Sequence, residues 1–132
     1  MPDKESRRAL ADLRLARARE QLGFVPGIFA LGDYKTAVNR SYYSVFYAMR
    51  AVLALDGYDS KKHSGIISEF RKRYVKTGVF REALSDIIGE LFTVRSGGDY
   101  DDFYVVSREK AWTQYQNAEI FVSEIEYYFK TL

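Results

Sequence analysis

The segment Tyr34–Leu55 restricts the fold of this chain more than any other. Ala37, Val38, Tyr42, Val45, Phe46, Met49, Val52 and Leu53 cover far more of a helical circumference than one narrow stripe. A helix that is apolar on most of its sides belongs at the centre of a fold, with several neighbours. Asp33 is placed to cap its start, and Gly57, after Asp56, to take the left-handed position past its end. Its polar members, Asn39, Arg40, Ser41, Tyr43, Ser44 and Tyr47, are then the informative ones.

Periodicity predicts four further helices around it. The first runs from residue 3 to about 22, with Asp3 as cap and Leu10, Leu13, Ala16 and Leu22 on one face. The stretch GFVPGIFALGD that follows reads either as a kink with a second short helical piece or as a loop carrying Phe24, Ile28, Phe29 and Leu31 inward. Ser60 is the expected cap of a third helix, Lys61 to Lys76, with Ile66, Ile67, Phe70 and Tyr74 inward. A fourth spans Phe80 to Ser96 on the stripe Leu84, Ile87, Ile88 and Leu91, and breaks at Gly97-Gly98. Ser107 caps the fifth, which reaches Lys130 with Ala111, Trp112, Tyr115, Ala118, Val122, Ile125 and Phe129 in line. No alternating strand pattern competes, and Pro2 and Pro26 are the only prolines. The expectation is all-α: an up-and-down antiparallel bundle of four to five helices, one domain over residues 1–132.

Composition narrows the chemistry. With 132 residues, 47% apolar, the chain can bury a single core. It has no cysteine, so disulfides, thiolate metal sites and cysteine catalysis are excluded. No apolar run is long enough for a membrane span, and MPDKESRR lacks the apolar core of a signal peptide, so a cytoplasmic protein with no membrane partner is expected. The net charge is only +2, but it is unevenly spread. Lys61 to Arg81 holds seven cations against Glu69 alone, a net of +6; Glu82 to Tyr104 holds six carboxylates against Arg95, a net of −5. A polarised surface of that kind suits an anionic partner on its basic side, although a solvated helix face has the same pattern.

Arg95 continues the apolar stripe of the fourth helix, so a cation stands where another core residue is due. A buried arginine keeps its proton and needs anionic partners. Asp99, Tyr100, Asp101, Asp102 and Tyr104 follow at once. The cluster is either a structural ion-pair latch or a site. The three aspartates could hold Mg²⁺ weakly, but Arg95 competes for them, and no metal or cofactor is expected. His63, the only histidine, stands beside Lys61 and Lys62; it reads as a solvated residue or as a base or phosphate contact.

The run NRSYYSVFYAMRAVLALDG, followed by KKHSG, FRKRYVKTG and RSGGDYDDF, resembles the HEPN domain superfamily, in particular its small single-domain bacterial and archaeal branch (UPF0332-like). The similarity extends from Asp33 to Phe129. It implies a helical bundle that dimerises through its central helices, often a metal-independent ribonuclease toxin paired with a minimal nucleotidyltransferase antitoxin. The family's arginine, then four to six residues, then histidine is met by Arg95 alone. Tyr100, Asp101 and Asp102 fill the histidine window. Tyr104 takes the place of a tyrosine that accepts adenylyl groups in some members, and Asn39 that of a polar cleft residue.

The resemblance implies first a partner of a minimal nucleotidyltransferase in a toxin–antitoxin-type pair, with a degenerate motif. An alternative is a metal-independent ribonuclease using Arg95 and a raised-pKa Asp101 or Asp102, with the basic third helix as RNA track; a nucleotide-binding bundle is the other. The assembly expected is a homodimer with Arg40, Tyr43 and Tyr47 near its axis, two copies of Arg95 in a shared cleft, and Asp99 or Asp102 holding each arginine.

Overall fold

The computed structural model describes residues 3–100 and 103–132, apart from the side chains of Asp99 and Tyr100. Those residues form five α-helices and no strand: α1 Lys4–Ala30, α2 Tyr34–Leu55, α3 His63–Phe70, α4 Glu82–Tyr100 and α5 Arg108–Lys130. A π-helical turn, Arg71–Val75, continues α3. Cross-helix bonds fix the directions. Arg7 Nε donates to the Leu55 carbonyl and Arg40 to Gln21, so α1 and α2 are antiparallel. Arg8 meets Phe129, while Arg19 bridges Glu119 and Glu126, making α1 and α5 antiparallel. Asn117 donates to Glu90 and Arg81 pairs with Glu124, which opposes α4 to α5. The result is an up-and-down bundle.

As its apolar circumference requires, α2 packs against every other α-helix. Thirteen of its 22 residues are buried. The predicted caps hold: Asp3, Asp33 and Ser107 accept the backbone N–H of Ser6, Thr36 and Lys110. Gly57 takes φ 75° past the end of α2.

Four expectations are corrected. Residues 23–30 are neither loop nor separate piece, because α1 runs unbroken through Pro26. Its inward stripe is Ala11, Leu15, Ala18, Leu22, Val25 and Phe29, spaced four and three alternately, and that period carries the helix past the proline. Leu10 and Leu13 are instead 41% and 50% exposed, and Phe24 and Leu31 also face outward. The third helix starts at His63 rather than Lys61; Ser60 Oγ accepts the Lys62 N–H within the preceding loop, and Lys62 takes the N-cap position. Lastly, α4 continues through Gly97-Gly98 to Tyr100. A Cβ at Gly97 would lie 3.1 Å from a carbon of the Tyr104 ring, so this glycine admits a ring folded back over the helix rather than ending it. On α5, Trp112 sits at the rim against Phe29, while Phe121 and Gln114, absent from the expected stripe, are buried.

Candidate anion-binding site on the central helix

Asn39 and Tyr43 stand one helical turn apart on α2 and present their oxygens to α4. Arg95 crosses from α4 to meet them. Its Nε donates to Asn39 Oδ1 at 3.1 Å and its Nη2 to Tyr43 Oη at 3.3 Å. The guanidinium carbon lies 4.7 Å from the Tyr42 ring centroid and 5.3 Å from that of Tyr43. Two hydrogen bonds and two ring faces therefore fix the cation's position. The stripe that suggested a core arginine is thus answered by α2.

A second element closes on the same tyrosines. His63, first residue of α3, has Nδ1 2.9 Å from Tyr42 Oη. Its ring stacks on Phe46 at 4.1 Å and meets Tyr43 edge-on. Burial, and the positive charges of Arg95 and Arg50, hold the imidazole below its ordinary pKa. Burial pushes the Tyr42 hydroxyl up to about 12 against the pull of Arg95. At neutral pH both groups are uncharged.

Beside His63 opens a cleft of about 380 Å³ between α2 and the loop before α3, lined by Tyr43, Phe46, Tyr47, Arg50, Asp59, Ser60, Lys61 and His63. Asp59 accepts from both Arg14 and Arg50. Burial opposes its ionisation, but the Ser60 N–H and the two guanidiniums prevail and lower its pKa. One carboxylate facing two arginines and Lys61 leaves the cleft net positive.

A family model for the HEPN domain matches residues 7–128. The chain belongs to the HEPN domain family. It is 34% identical over 110 residues, 83% of each chain, to a UPF0332 protein of Thermotoga maritima. It is 30% identical over 114 residues, 86% of this chain and 78% of the other, to a Methanocaldococcus jannaschii protein named "Putative toxin MJ0142". A UPF0332 protein of Archaeoglobus fulgidus is 29% identical over 113 residues, 86% of this chain and 90% of its own.

Of the residues singled out from the sequence, this HEPN fold brings Arg95, Asn39, Tyr43 and His63 together, and Lys61 lines the adjoining cleft. Lys62 is exposed at the N-cap of α3. Arg40 is turned away to Gln21 on α1. Tyr104 packs over Gly97 beneath Lys110. Asp101 and Asp102, and the side chains of Asp99 and Tyr100, lie outside the described residues, and with them the expected aspartate partners of Arg95. The basic segment is less free than its charge suggested. Arg71 clamps Ser85, Arg73 pairs with Glu69 and Asp56, and Arg81 pairs with Glu124. Its exposed lysines are Lys61, Lys62, Lys72 and Lys76.

Tyr42, Phe46, Arg50 and Asp59 were not anticipated as site residues. Tyr42 and Phe46 count as core by hydropathy. The local sign was the polar set on the central helix, Asn39, Arg40, Ser41, Tyr43, Ser44 and Tyr47, of which Asn39, Tyr43 and Tyr47 fall at intervals of four. The contact between His63 and Tyr42 depends on how α3 docks on α2, which neither segment reveals alone.

Proposed function

We propose that this protein is the toxin-type component of a pair formed with a minimal nucleotidyltransferase protein, and that it cleaves single-stranded RNA without a metal ion. The observation that carries this reading is Arg95, held by Asn39 and Tyr43 beside the only imidazole of the chain. A preset guanidinium is the group that phosphoryl transfer needs, since charge grows on the phosphate oxygens in the transition state. In the cleavage proposed, a base takes the proton of a ribose 2′-hydroxyl and the 2′-oxygen attacks the adjacent phosphorus. The bond from phosphorus to the 5′-oxygen breaks, and the leaving oxygen takes a proton from solvent. Asp101 or Asp102 is the expected base. The toxin-type name of an archaeal relative supports the toxin half of this reading. A homodimer, with Tyr43 and Tyr47 near the axis, would join two Arg95 sites into one cleft.

The test is cleavage of single-stranded RNA by purified protein in EDTA. Arg95→Ala is expected to lower the rate by roughly 10²-fold or more. Cleavage that survives this substitution unchanged removes the assignment. Light scattering should give a mass near twice 15.3 kDa, and co-purification from the native host should bring down a nucleotidyltransferase.

The absence of histidine from residues 100–102 favours a second reading, in which the protein binds RNA or a nucleotide but does not cut. Tight RNA binding with no cleavage product selects it.

A further inference from the structure

The cleft beside His63 is separated from Arg95 by one side chain. Tyr43 accepts the Arg95 Nη2 bond and also lines the cleft, so an anion on Arg95 lies next to whatever occupies that space. The walls are of two kinds. Tyr43, Phe46 and Tyr47 offer ring surface, whereas Lys61, Arg50 and His63 offer N–H donors. Arg50 uses Nη2 on Asp59, but its Nε is buried with no hydrogen-bond partner among the described residues.

The proton on His63 follows from its neighbour. Tyr42 is 1% exposed, and its hydroxyl has one hydrogen-bond partner among the described residues, His63 Nδ1. Arg95, stacked on the Tyr42 ring, has no lone pair to accept with. If Nδ1 carried the proton, the buried hydroxyl would keep its own hydrogen unbonded, at the full cost of desolvation. The hydroxyl therefore donates to Nδ1, and the neutral ring carries its hydrogen on Nε2. His63 lines the cleft, and with Nδ1 engaged by Tyr42 the ring nitrogen left to meet a ligand is Nε2. His63 thus presents a neutral donor there and is not prepared to act as a base.

We propose that this cleft is a nucleotide subsite, which takes the nucleotide adjoining the phosphate held by Arg95, with the His63 Nε2–H and Lys61 as phosphate donors and the tyrosine rings as a stacking surface. Single-stranded RNA is the ligand class that needs both surfaces at once, because unpaired bases stack on aromatic side chains while the backbone follows cations. The proposal rests on the RNA reading above and adds to it a second phosphate contact and the donor role of His63.

The test is anisotropy of a short labelled 2′-O-methyl oligoribonucleotide, which cannot be cut, titrated in EDTA with the full chain. Lys61→Ala and His63→Ala should each weaken binding about tenfold, the worth of one hydrogen bond to a charged group. His63→Gln, whose amide can place an N–H near the Nε2 position, should retain most of the affinity. Nitrogen NMR at neutral pH should find the Nε2–H tautomer of His63, and the Nδ1–H tautomer overturns the donor role. If Arg95→Ala abolishes binding but Lys61→Ala and His63→Ala do not alter it, the subsite is wrong and the Arg95 reading stands. If the two cleft variants weaken binding and Arg95→Ala does not, the subsite stands and the clamp is wrong. No binding by the wild-type chain overturns both.

Discussion

Two faces of α2 were built under different rules. The face toward α1 carries Ala37, Ser41, Ser44, Ala48 and Ala51, all fully buried, in line with Arg40 and Leu55, which bond to α1. Its polar atoms are spent locally. Ser41 Oγ donates to the Ala37 carbonyl and Ser44 Oγ to that of Ser41. The face toward α3 and α4 carries Asn39, Tyr42, Tyr43, Phe46 and Arg50, and there the polar atoms reach across to Arg95, His63 and Asp59. Small residues with self-satisfied hydroxyls let two long helices pack closely. Large residues with a polar tip hold other elements at a distance and orient what those elements bring. The first face joins two helices, and the second holds Arg95 and His63 in the candidate site.

The largest effect that could break this contrast comes from overfilling the first face. Ala48 is fully buried in the α1 contact, and Leu in its place must push the helices apart. Ala48→Leu is expected to cost about 1–3 kcal/mol in urea denaturation, while the oligoribonucleotide binding proposed for the cleft stays unchanged in the folded fraction. A loss of affinity without a loss of stability would show that the two faces are not separable.

The sequence made the second face easier to suspect than the first. Most of the helices and the caps at Asp3, Asp33 and Ser107 were legible, because each depends on local spacing. The HEPN resemblance put Asn39 among the cleft residues. That Asn39 and Tyr43 bond Arg95 was not legible, since aspartates were the expected partners. The α1 stripe was misread because Leu10 and Leu13 outrank Ala11 and Ala18 in hydropathy, yet a close helix contact selects for small size. The double glycine was read as a break, but Gly97 answers to Tyr104, seven residues later and off the helix. The Tyr42–His63 pair joins two elements whose relative register no local pattern encodes.

A middling effect tests the second face from its hidden side. Tyr42→Phe keeps the ring beneath the Arg95 guanidinium and against Phe46, and removes only the hydroxyl. The expected loss of stability is about 1 kcal/mol, the net worth of one buried hydrogen bond. With no hydroxyl to accept from, Nδ1 loses its reason to stay bare, so the His63 tautomers should mix in the nitrogen spectrum. An unchanged spectrum would mean that something other than Tyr42 sets the proton.

The smallest effect is in the pH dependence of stability, and its sign distinguishes the two faces again. His63 faces Tyr42, Tyr43 and Arg50 from α2 and Arg95 from α4, with Lys61, Lys62 and Asp59 beside it on the loop. Its folded pKa lies below the ordinary 6.5, through burial first and then through Arg95 and Arg50. Above 6.5 both folded and unfolded chains hold it neutral, and it contributes no slope. As pH falls through 6.5 the unfolded chain takes the proton first, so the folded state loses stability until the folded pKa is passed. Asp59 also has a lowered pKa, but its contribution is lost only as pH falls below the carboxylate range, so the windows do not overlap. The imidazole is partly exposed and solvent screens it, which keeps the effect below that of Tyr42→Phe. The check is denaturation of wild type and His63→Gln at pH 8 and pH 5: the acid-side loss should be larger in the wild type. Substitutions on the alanine face, such as Ala48→Leu, should shift both pH values equally. If His63→Gln leaves the acid-side loss intact, neither burial nor the nearby arginines depress His63, and the neutral imidazole assigned to this face fails.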